Sequence, residues 1–295
     1  MSRFCFYHDD LDGSCAAAII RKYFDGDVYC YPVNYNLDFP FHFLDEESEV
    51  YIVDYSLQKS GDWEKLLSIT KNVVWIDHHE TAINKSLHQG VSYLKGIREV
   101  GKAGCVLTWE YYFPSYPAPQ AVLLVGDHDV WAFEFGEKTK HFNQGIMLLE
   151  DTRPNSLFWD KLLVDEGVST DGPVIKELCS VGERILSKKI ISDKRSLLSF
   201  GFEVEFEGFN CIAINKGGIG SDFFESIGKK YDILMPFIFD GEQYTVSLYQ
   251  SGNGADIHMG EIAQSYGGGG HKGAAGFQCK ELPFTFIKRL NQKGK

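Results

Sequence analysis

Short apolar runs alternate with amphipathic segments over the first 130 residues of the chain. We predict strands at residues 4–7, 28–33, 50–53 and 72–76, and helices at 14–24, 62–69, 103–113 and 119–126. Strands that are separated by single helices form βαβ units, in which consecutive strands lie parallel. The pattern therefore predicts an α/β fold with a mostly parallel N-terminal sheet flanked by helices.

The pattern changes after residue 154. Helical periodicity covers 156–164 and the charged segment 173–198. Strand-like runs follow at 203–206, 211–214, 233–239 and 244–249. Two further helical stretches lie near 221–230 and 257–266. We predict a first domain at 1–170, a linker helix at 171–199 and a smaller α+β domain at 200–295. The alternative is that the charged helix is an ordinary surface helix of one large domain.

Composition and charge narrow the classes of function. The 295 residues include 29 Lys and Arg against 41 Asp and Glu, a formal net charge of −12. This excess of negative charge disfavours the binding of long duplex nucleic acid, which needs a basic surface. The longest apolar run, at 15–20, has six residues, whereas a membrane helix needs about 20. Seven cysteines without a C-x-x-C pair are typical of reduced thiols, so we expect a soluble, cytoplasmic protein without a membrane partner.

The first candidate site follows the first predicted strand, in the segment HDDLDG at 8–13. Carboxylates crowded this closely repel one another unless a cation lies among them. Alternate residues of a turn between a strand and a helix converge, so His8, Asp10 and Asp12 form one candidate ligand set. The alternative is an acidic surface turn in which Asp12 or Ser14 caps the following helix.

Two further predicted strands end in the same residue types. Asp54 follows the third strand, and Asp77, His78 and His79 follow the fourth. Ligands of open parallel sheets bind beyond the carboxyl ends of the strands. A single Asp at such an end is commonly a cap, but three strand ends that supply only Asp and His predict a metal site.

A further carboxylate comes from GDHDVW at 126–131, where Asp127 and Asp129 are both candidates that spacing alone does not separate. Carboxylates mixed with imidazoles and without thiolates suit Mn²⁺ or Mg²⁺ better than a structural zinc ion. The donors exceed what one ion needs, and two ions bridged by one carboxylate serve displacement at phosphorus. We therefore predict two divalent ions at this site.

A glycine run at 267–270 precedes His271 and Lys272 near the end of the chain. Glycines let backbone N–H groups approach an anion closely. Gly268, Gly269 and Gly270, together with the two side chains, are therefore candidate substrate contacts. As an isolated feature, such a run is more often a loop before a strand.

Together these segments resemble the DHH phosphoesterases that carry a C-terminal DHH-associated domain. HDDLDG, the Asp of VDY, DHH, GDHD and GGGGHKGAAGF occur in the order of that family and cover nearly the whole chain. The resemblance implies a metal-dependent phosphodiesterase or exonuclease, similar to the nano-RNases, that acts on short oligonucleotides or dinucleotides. The alternatives are an exopolyphosphatase or pyrophosphatase acting on phosphoanhydrides, and a nucleotide-binding sensor whose catalysis has lapsed.

The resemblance also implies roles for single residues. His8 and Asp10 would bind one Mn²⁺, Asp12, His78 and Asp127 would bind the second, and Asp54 would bridge both; Mg²⁺ and Co²⁺ are alternatives. His79 would lie beside the substrate phosphate, Asp77 would orient a histidine or a backbone group, and the segment 268–272 would hold the nucleotide. Tyr249 departs from the pattern of the family, since nano-RNase-like members tend to carry an Arg in the corresponding segment shortly before the glycine run.

Overall fold

A computed structural model describes residues 2–163, 172–227, 230–253 and 256–290. The chain divides into two compact units, Met1–Ile185 and Leu186–Lys295. The predicted boundary between residues 170 and 171 lies outside the described residues. The division between the units falls instead within a long helix, Pro173–Phe200, which we describe below.

The first unit is built on a four-stranded parallel sheet, which confirms the predicted fold class. Its strands are β1 (Arg3–His8), β2 (Tyr29–Val33), β3 (Glu49–Val53) and β4 (Val73–Ile76), in the order β2-β1-β3-β4. The register aligns Tyr7 with Val53, and Val53 with Ile76. Since the strands run parallel, their carboxyl ends lie at one edge of the sheet.

Helices cover this sheet, and most lie where the apolar pattern predicts them. They are α1 (Leu11–Tyr23), α2 (Asp62–Ile69), α3 (Glu80–His88), α4 (Gly104–Tyr112), α5 (Gln120–Asp129), α6 (Glu137–Ile146) and α7 (Leu157–Leu162). α3 and α6 lie in segments for which the apolar pattern predicts no helix. The buried face of α6 includes Thr139 and Gly145 beside Phe142 and Ile146, so its apolar periodicity is weak.

The core of the first unit lies on both faces of the sheet. One cluster joins α1, α4 and α5, with Ile19, Leu107 and Leu124 fully buried. The other packs α2 against the opposite face and contains the paired rings of Trp63 and Trp75, 5.1 Å apart. A rigid sheet between two apolar layers fixes the position of the strand ends that carry the candidate site.

The long helix α8 (Pro173–Phe200) has 28 residues and carries many charged side chains. Its early residues Ile175 and Leu178 join the core of the first unit, whereas Leu197 is buried in the second. No helix in the described ranges is long and apolar enough to cross a membrane.

In the described part of the second unit, a seven-stranded mixed sheet follows the end of α8 and packs with a short helix. Its elements are β5 (Phe202–Phe206), β6 (Phe209–Asn215), β7 (Ile233–Phe239), β8 (Tyr244–Gln250), α9 (Met259–Ser265), β9 (Gly269–Gly270), β10 (Ala274–Cys279) and β11 (Thr285–Arg289), with the strand order β11-β5-β6-β7-β8-β10-β9. This arrangement confirms the predicted α+β character. The helix predicted near 221–230 is wrong over its first half, where the structure has a 3₁₀ turn at Ser221–Phe224. Residues 228–229 of that prediction lie outside the described ranges.

Candidate metal centre

Three neighbouring strands bring polar side chains to the carboxyl edge of the first sheet. His8 is the last residue of β1, Asp54 directly follows β3, and Asp77 directly follows β4. The backbone N–H of Asp54 donates to the carbonyl of Ile76 at 2.9 Å, which links the ends of β3 and β4. The parallel register therefore places side chains that are about 70 residues apart in sequence beside one another.

Asp54 lies at the centre of this edge. Its backbone has φ 55°, in the left-handed region that Asp and Asn tolerate better than most residues. The side chain is 1% exposed; Oδ1 lies 3.1 Å from His78 Nε2, and Oδ2 lies 3.7 Å from His8 Nδ1. Within the described part of the chain, neither oxygen has a hydrogen-bond partner of normal geometry.

The first group around Asp54 consists of His8 and Asp10. His8 Nδ1 lies 2.5 Å from Asp10 Oδ2, yet it forms no hydrogen bond of normal geometry with any described residue. The other carboxylate oxygen of Asp10 accepts from the N–H of Gly13 at 2.9 Å and so caps α1. His8 Nδ1 and Asp10 Oδ2 thus face the same space as Asp54 Oδ2.

The second group consists of Asp12, His78 and Asp129. His78 Nε2 lies 3.8 Å from Asp12 Oδ2 and 3.5 Å from Asp129 Oδ2. Asp12 is held in place because its two oxygens accept from the backbone N–H groups of Gly104 at 2.7 Å and Cys105 at 2.9 Å. Asp129 Oδ2 is buried and forms no hydrogen bond within the described ranges.

Two glycines permit this close packing. A Cβ at Gly13 would lie 2.1 Å from the carbonyl oxygen of His8, and a Cβ at Gly104 would lie 2.8 Å from the Cβ of Asp54 and 3.0 Å from Asp12 Oδ2. The sequence analysis missed Gly104 and Cys105. The signal for them was a small-residue pair, Ala103 and Gly104, at the start of a predicted helix.

Asp127 lies outside both groups, which corrects the assignment that the resemblance implies. Its carboxylate accepts from the backbone N–H of Glu134 at 2.7 Å, from that of Phe135 at 3.3 Å, and from the Thr139 hydroxyl. Residues two apart on a helix point about 200° apart, so Asp127 and Asp129 face different neighbours. Asp129 lies beside His78, whereas the hydrogen bonds of Asp127 hold the loop after α5.

Asp77 orients the two histidines, as the resemblance implies. Its Oδ1 accepts from the backbone N–H of His78 at 2.8 Å and that of His79 at 3.1 Å, and it lies 2.7 Å from His79 Nδ1. A carboxylate that is hydrogen-bonded to one ring nitrogen, as Asp77 is to His79 Nδ1, fixes the orientation of a functional histidine. His79 Nε2 is consequently directed away from Asp77.

Tyr35 also borders this edge, and the sequence analysis missed it. Its ring lies 5.2 Å from that of His8 and 6.3 Å from that of His79, and it stacks on Tyr55 at 5.0 Å. Burial and the nearby carboxylates raise the pKa of its phenol, so it stays protonated at neutral pH. Tyr35 comes from the irregular segment after β2, where no periodic pattern marks it.

We call His8, Asp10, Asp12, Asp54, His78 and Asp129 the edge cluster. Burial and the charge of Asp54 raise the pKa of Asp12 to about 7, and burial together with Asp12 raises that of Asp129 to about 7. The carboxylates of Asp10 and Asp54 raise the pKa of His8 to about 10. Burial lowers the pKa of His78, but its acidic neighbours outweigh burial and raise the pKa to about 9. Four carboxyls thus face two imidazoles, and burial and mutual repulsion disfavour the charged forms of Asp12 and Asp129.

The donor atoms of the edge cluster suit a divalent cation. Three overlapping sets bring their ligand atoms within 4.8 Å of one another: His8, Asp10 and Asp54; Asp12, His78 and Asp129; and Asp54, His78 and His79. A buried carboxylate without a partner is costly, and a cation between these atoms would remove that cost. The donors are oxygen and imidazole nitrogen, which are typical ligands of Mn²⁺ and Mg²⁺.

In the second unit, the glycine run forms part of a hairpin that we call the glycine hairpin (267–276). β9 pairs with β10, and the N–H of His271 donates to the carbonyl of Ala274 at 2.8 Å. The side chains of His271 and Lys272 are exposed, and Lys272 Nζ lies 2.6 Å from Asp256 Oδ1. Tyr249 on β8 donates to the carbonyl of Ile219 at 3.4 Å and packs against the core of this unit.

Comparisons with known proteins were made on sequence and on structure. No family model matches the sequence. Over 300 aligned residues the chain is 24% identical to the uncharacterized protein R106 of Acanthamoeba polyphaga mimivirus. The alignment takes in 94% of the chain, and the chain spans 66% of the length of that relative.

Two of the solved structures that resemble the chain cover most of its length. The pGpG-specific phosphodiesterase PggH from Vibrio cholerae superposes with a TM-score of 0.50 at 13% identity, covering 95% of this chain and 92% of PggH. The DHH domain of PF0399, a member of the s1p family of ribosomal proteins, gives a TM-score of 0.52 at 14% identity, covering 97% and 83%. At sequence identities of 13% and 14%, these similarities establish a shared fold. The chain has the fold of the DHH-domain phosphoesterases.

Proposed function

We propose that the protein is a metal-dependent phosphohydrolase that cleaves the phosphodiester bond of dinucleotides and short oligonucleotides. The observation that carries this proposal is the position of Asp54. Its two oxygens are buried, lack hydrogen-bond partners within the described ranges, and face two separate groups of carboxylate and imidazole ligands. A carboxylate shared between two divalent ions is the arrangement that enzymes use for in-line displacement at phosphorus.

The proposed ligands follow the two groups of the edge cluster. His8 and Asp10 would hold one ion, Asp12, His78 and Asp129 would hold the other, and Asp54 would contribute to both. We propose Mn²⁺ as the resident ion, with Mg²⁺ and Co²⁺ as alternatives, because all three accept mixed oxygen and imidazole ligands. When bound, the two ions lower the pKa of a water molecule and neutralise charge on the phosphoryl oxygens.

The residues around the cluster then have separate tasks. Asp77 holds His79 Nδ1, so Nε2 is available to donate a hydrogen bond to a phosphoryl oxygen. The Asp77 hydrogen bond raises the pKa of His79, which favours the protonated, donating form of the ring. Charge-assisted donors of this kind are stronger than neutral ones and stabilise charge that develops at phosphorus.

We further propose that the glycine hairpin binds the nucleotide through Gly268, Gly269, Gly270, His271 and Lys272. His271 is exposed, and its imidazole can donate to a phosphate oxygen. The N–H of Gly268 already donates to the carbonyl of Ala263 at 2.9 Å, so we expect the exposed backbone of Gly269 and Gly270 to make the closest approach to the anion. Lys272 is already paired with Asp256, so we expect it to contribute less than His271.

We infer the substrate class from the net charge of the chain and from its fold. A net charge of −12 disfavours long polyanions, whereas a small phosphodiester can be held by metal ions and a few donors. The fold is shared with PggH, which is named as a pGpG-specific phosphodiesterase. We therefore place linear dinucleotides first among the candidate substrates, ahead of longer single strands.

A hydrolysis panel tests the proposed function. The purified full chain, first stripped of metal and then supplied with Mn²⁺, is incubated with a linear dinucleotide, a five-residue RNA, a longer single strand, a cyclic dinucleotide, pyrophosphate and polyphosphate. We expect the linear dinucleotide to give the highest kcat/KM and the longer strand the lowest among the linear nucleic acids. Hydrolysis confined to pyrophosphate or polyphosphate would overturn the phosphodiester assignment, and no hydrolysis of any member would overturn the enzymatic one.

A further inference from the structure

Trp131 is exceptional among the five tryptophans of the chain. The other four are 0% or 1% exposed and lie in the core, whereas Trp131 is 73% exposed. A free indole at the surface leaves a large apolar ring in water and adds nothing to the core. The exposed indole is therefore available to a ligand from solution.

The backbone that presents this indole is constrained. Trp131 has φ 54° and Phe133 has φ 50°, values that bulky residues rarely adopt and that cost free energy. The buried carboxylate of Asp127 holds the turn by accepting from the N–H groups of Glu134 and Phe135, and the Asp127 carbonyl accepts from that of Ala132 at 3.1 Å. The loop thus holds Trp131 in one conformation.

The rings next to Trp131 complete a small aromatic surface. Its ring lies 5.7 Å from that of His128 and 5.2 Å from that of Phe133, and the Phe133 ring lies 5.9 Å from His128. These contacts support one side of the indole and leave the rest of it in solvent. A supported, exposed indole is a surface on which a planar ring can stack.

This aromatic surface follows a residue of the edge cluster directly along the chain. Asp129, which lies 3.5 Å from His78, is only two positions before Trp131. Two residues span at most about 7 Å of extended chain, a distance comparable to that between a phosphate and the base of the same nucleotide. The backbone that carries the indole is therefore within one nucleotide of Asp129.

We propose that Trp131 stacks on a nucleobase next to the scissile phosphate, and that Asp127 is the positioning residue that holds the loop for this contact. The inference rests on the proposed function, because the edge cluster defines where the phosphate lies. Stacking on an aromatic side chain tolerates every base, since each base has a π-face. It selects nucleotides over substrates without a base, such as pyrophosphate and polyphosphate.

Intrinsic fluorescence tests the contact without any reaction. Since the other tryptophans are buried, the solvent-exposed component of the emission comes from Trp131. The full chain in Mg²⁺ is titrated with GMP and, as the matched control without a base, with ribose 5-phosphate. We expect GMP to quench this component and ribose 5-phosphate to leave it unchanged, and we expect Trp131→Phe to lose the GMP response. Equal responses to both ligands would overturn the proposal.

Kinetics with matched substrates test the same contact during turnover. For Trp131→Ala we expect KM for a linear dinucleotide to rise about 10-fold, within the range of base–aromatic stacking, while KM for the corresponding abasic dinucleotide stays unchanged. Trp131→Phe should recover most of the loss. Tyr93→Ala is the matched control, because Tyr93 is also 73% exposed but lies beside Glu49 and Asn72, where β3 and β4 begin, at the opposite edge of the sheet.

The two experiments separate the failure of the inference from that of the proposed function. If the chain hydrolyses the dinucleotide and Trp131→Ala has wild-type KM, the stacking role is wrong while the function stands. If GMP quenches Trp131 but no phosphodiester is cleaved, the stacking role stands and the hydrolase assignment is wrong.

Discussion

The edge cluster and the glycine hairpin both present polar groups near strand ends, but their environments differ. In the edge cluster both oxygens of Asp54 and one oxygen of the half-buried Asp129 are buried and accept no hydrogen bond from the described residues. In the glycine hairpin the corresponding groups are exposed, and Lys272 is paired with Asp256. The first region is incomplete without a ligand, whereas the second is already stable in water.

This difference determines how strongly each region indicates a function. Folding does not bury several carboxylates without partners unless something else stabilises them, because each unpaired buried charge costs several kcal/mol (roughly 3–5 when one partner is removed). An exposed imidazole on a hairpin costs nothing and so indicates little by itself. The predictions below test this contrast, starting with the residue that has the most unsatisfied atoms.

The largest effect is expected for Asp54→Asn, since Asn tolerates the same left-handed backbone. Loss of the shared carboxylate should lower kcat for a linear dinucleotide by about 10³-fold or more, equivalent to several kcal/mol of metal-ion stabilisation. The free energy of unfolding without metal should rise, because burial raises the pKa of Asp54 and makes its charged form unfavourable. Steady-state kinetics and chemical denaturation measure the two effects. An active variant would contradict the two-ion arrangement.

A pair of variants two residues apart gives the next largest effect. Asp129→Asn should weaken Mn²⁺ binding by at least about 100-fold, since even residues that only orient a ligand cost 10- to 100-fold. Asp127→Asn should leave Mn²⁺ binding nearly unchanged but lower the free energy of unfolding by about 1–3 kcal/mol, because its three donors lose their charged acceptor. Calorimetric titration with Mn²⁺ distinguishes the two. The reverse result would restore Asp127 as the ligand.

Metal addition should stabilise the first unit directly. At 100 times the dissociation constant, a ligand that binds only the folded state adds about 2.7 kcal/mol, which corresponds to roughly 5–10 °C in Tm for a unit of this size. Differential scanning fluorimetry with Mn²⁺, and then with excess chelator, measures this shift and its reversal. His271→Ala should show the same shift as the wild type, because its side chain lies outside the edge cluster. An unchanged wild-type Tm would mean that the carboxylates are not stabilised by a cation.

The smallest effect is expected in the glycine hairpin. His271→Ala should raise KM for the dinucleotide about 3- to 10-fold at nearly constant kcat, as for the loss of one ordinary exposed hydrogen bond. Lys272→Ala serves as the matched control and should change KM by less than about 3-fold, since surface ion pairs contribute little. Steady-state kinetics of both variants shows whether KM rises more for His271→Ala than for Lys272→Ala. A loss of kcat in His271→Ala, with KM unchanged, would contradict a role in binding.

The sequence predicts much of this arrangement because the decisive pattern is local. Apolar runs followed by Asp or His define β1, β3 and β4, and the parallel topology then brings His8, Asp54 and His78 together. The α/β first unit and the mixed second sheet follow from the same periodicities.

The remaining features depend on contacts that a single sequence does not display. Whether Asp127 or Asp129 faces His78 is decided by the rotation of α5 and by the loop that Asp127 caps. The need for glycine at position 104 arises from its approach to Asp54, 50 positions earlier. The helix α6 escaped prediction because its buried face includes Thr139 and Gly145, which carry little apolar signal.

The left-handed conformation of Asp54 restricts how this protein could change during evolution. Few residue types adopt that bend easily, and among them Asp alone brings a negative charge at neutral pH. If selection for turnover were relaxed, the first substitutions accepted here would be Asn or Gly, which keep the bend and relieve the buried charge. A descendant with Asn or Gly at this position would thus keep the fold but lack the shared carboxylate, and this one position would identify it in a sequence.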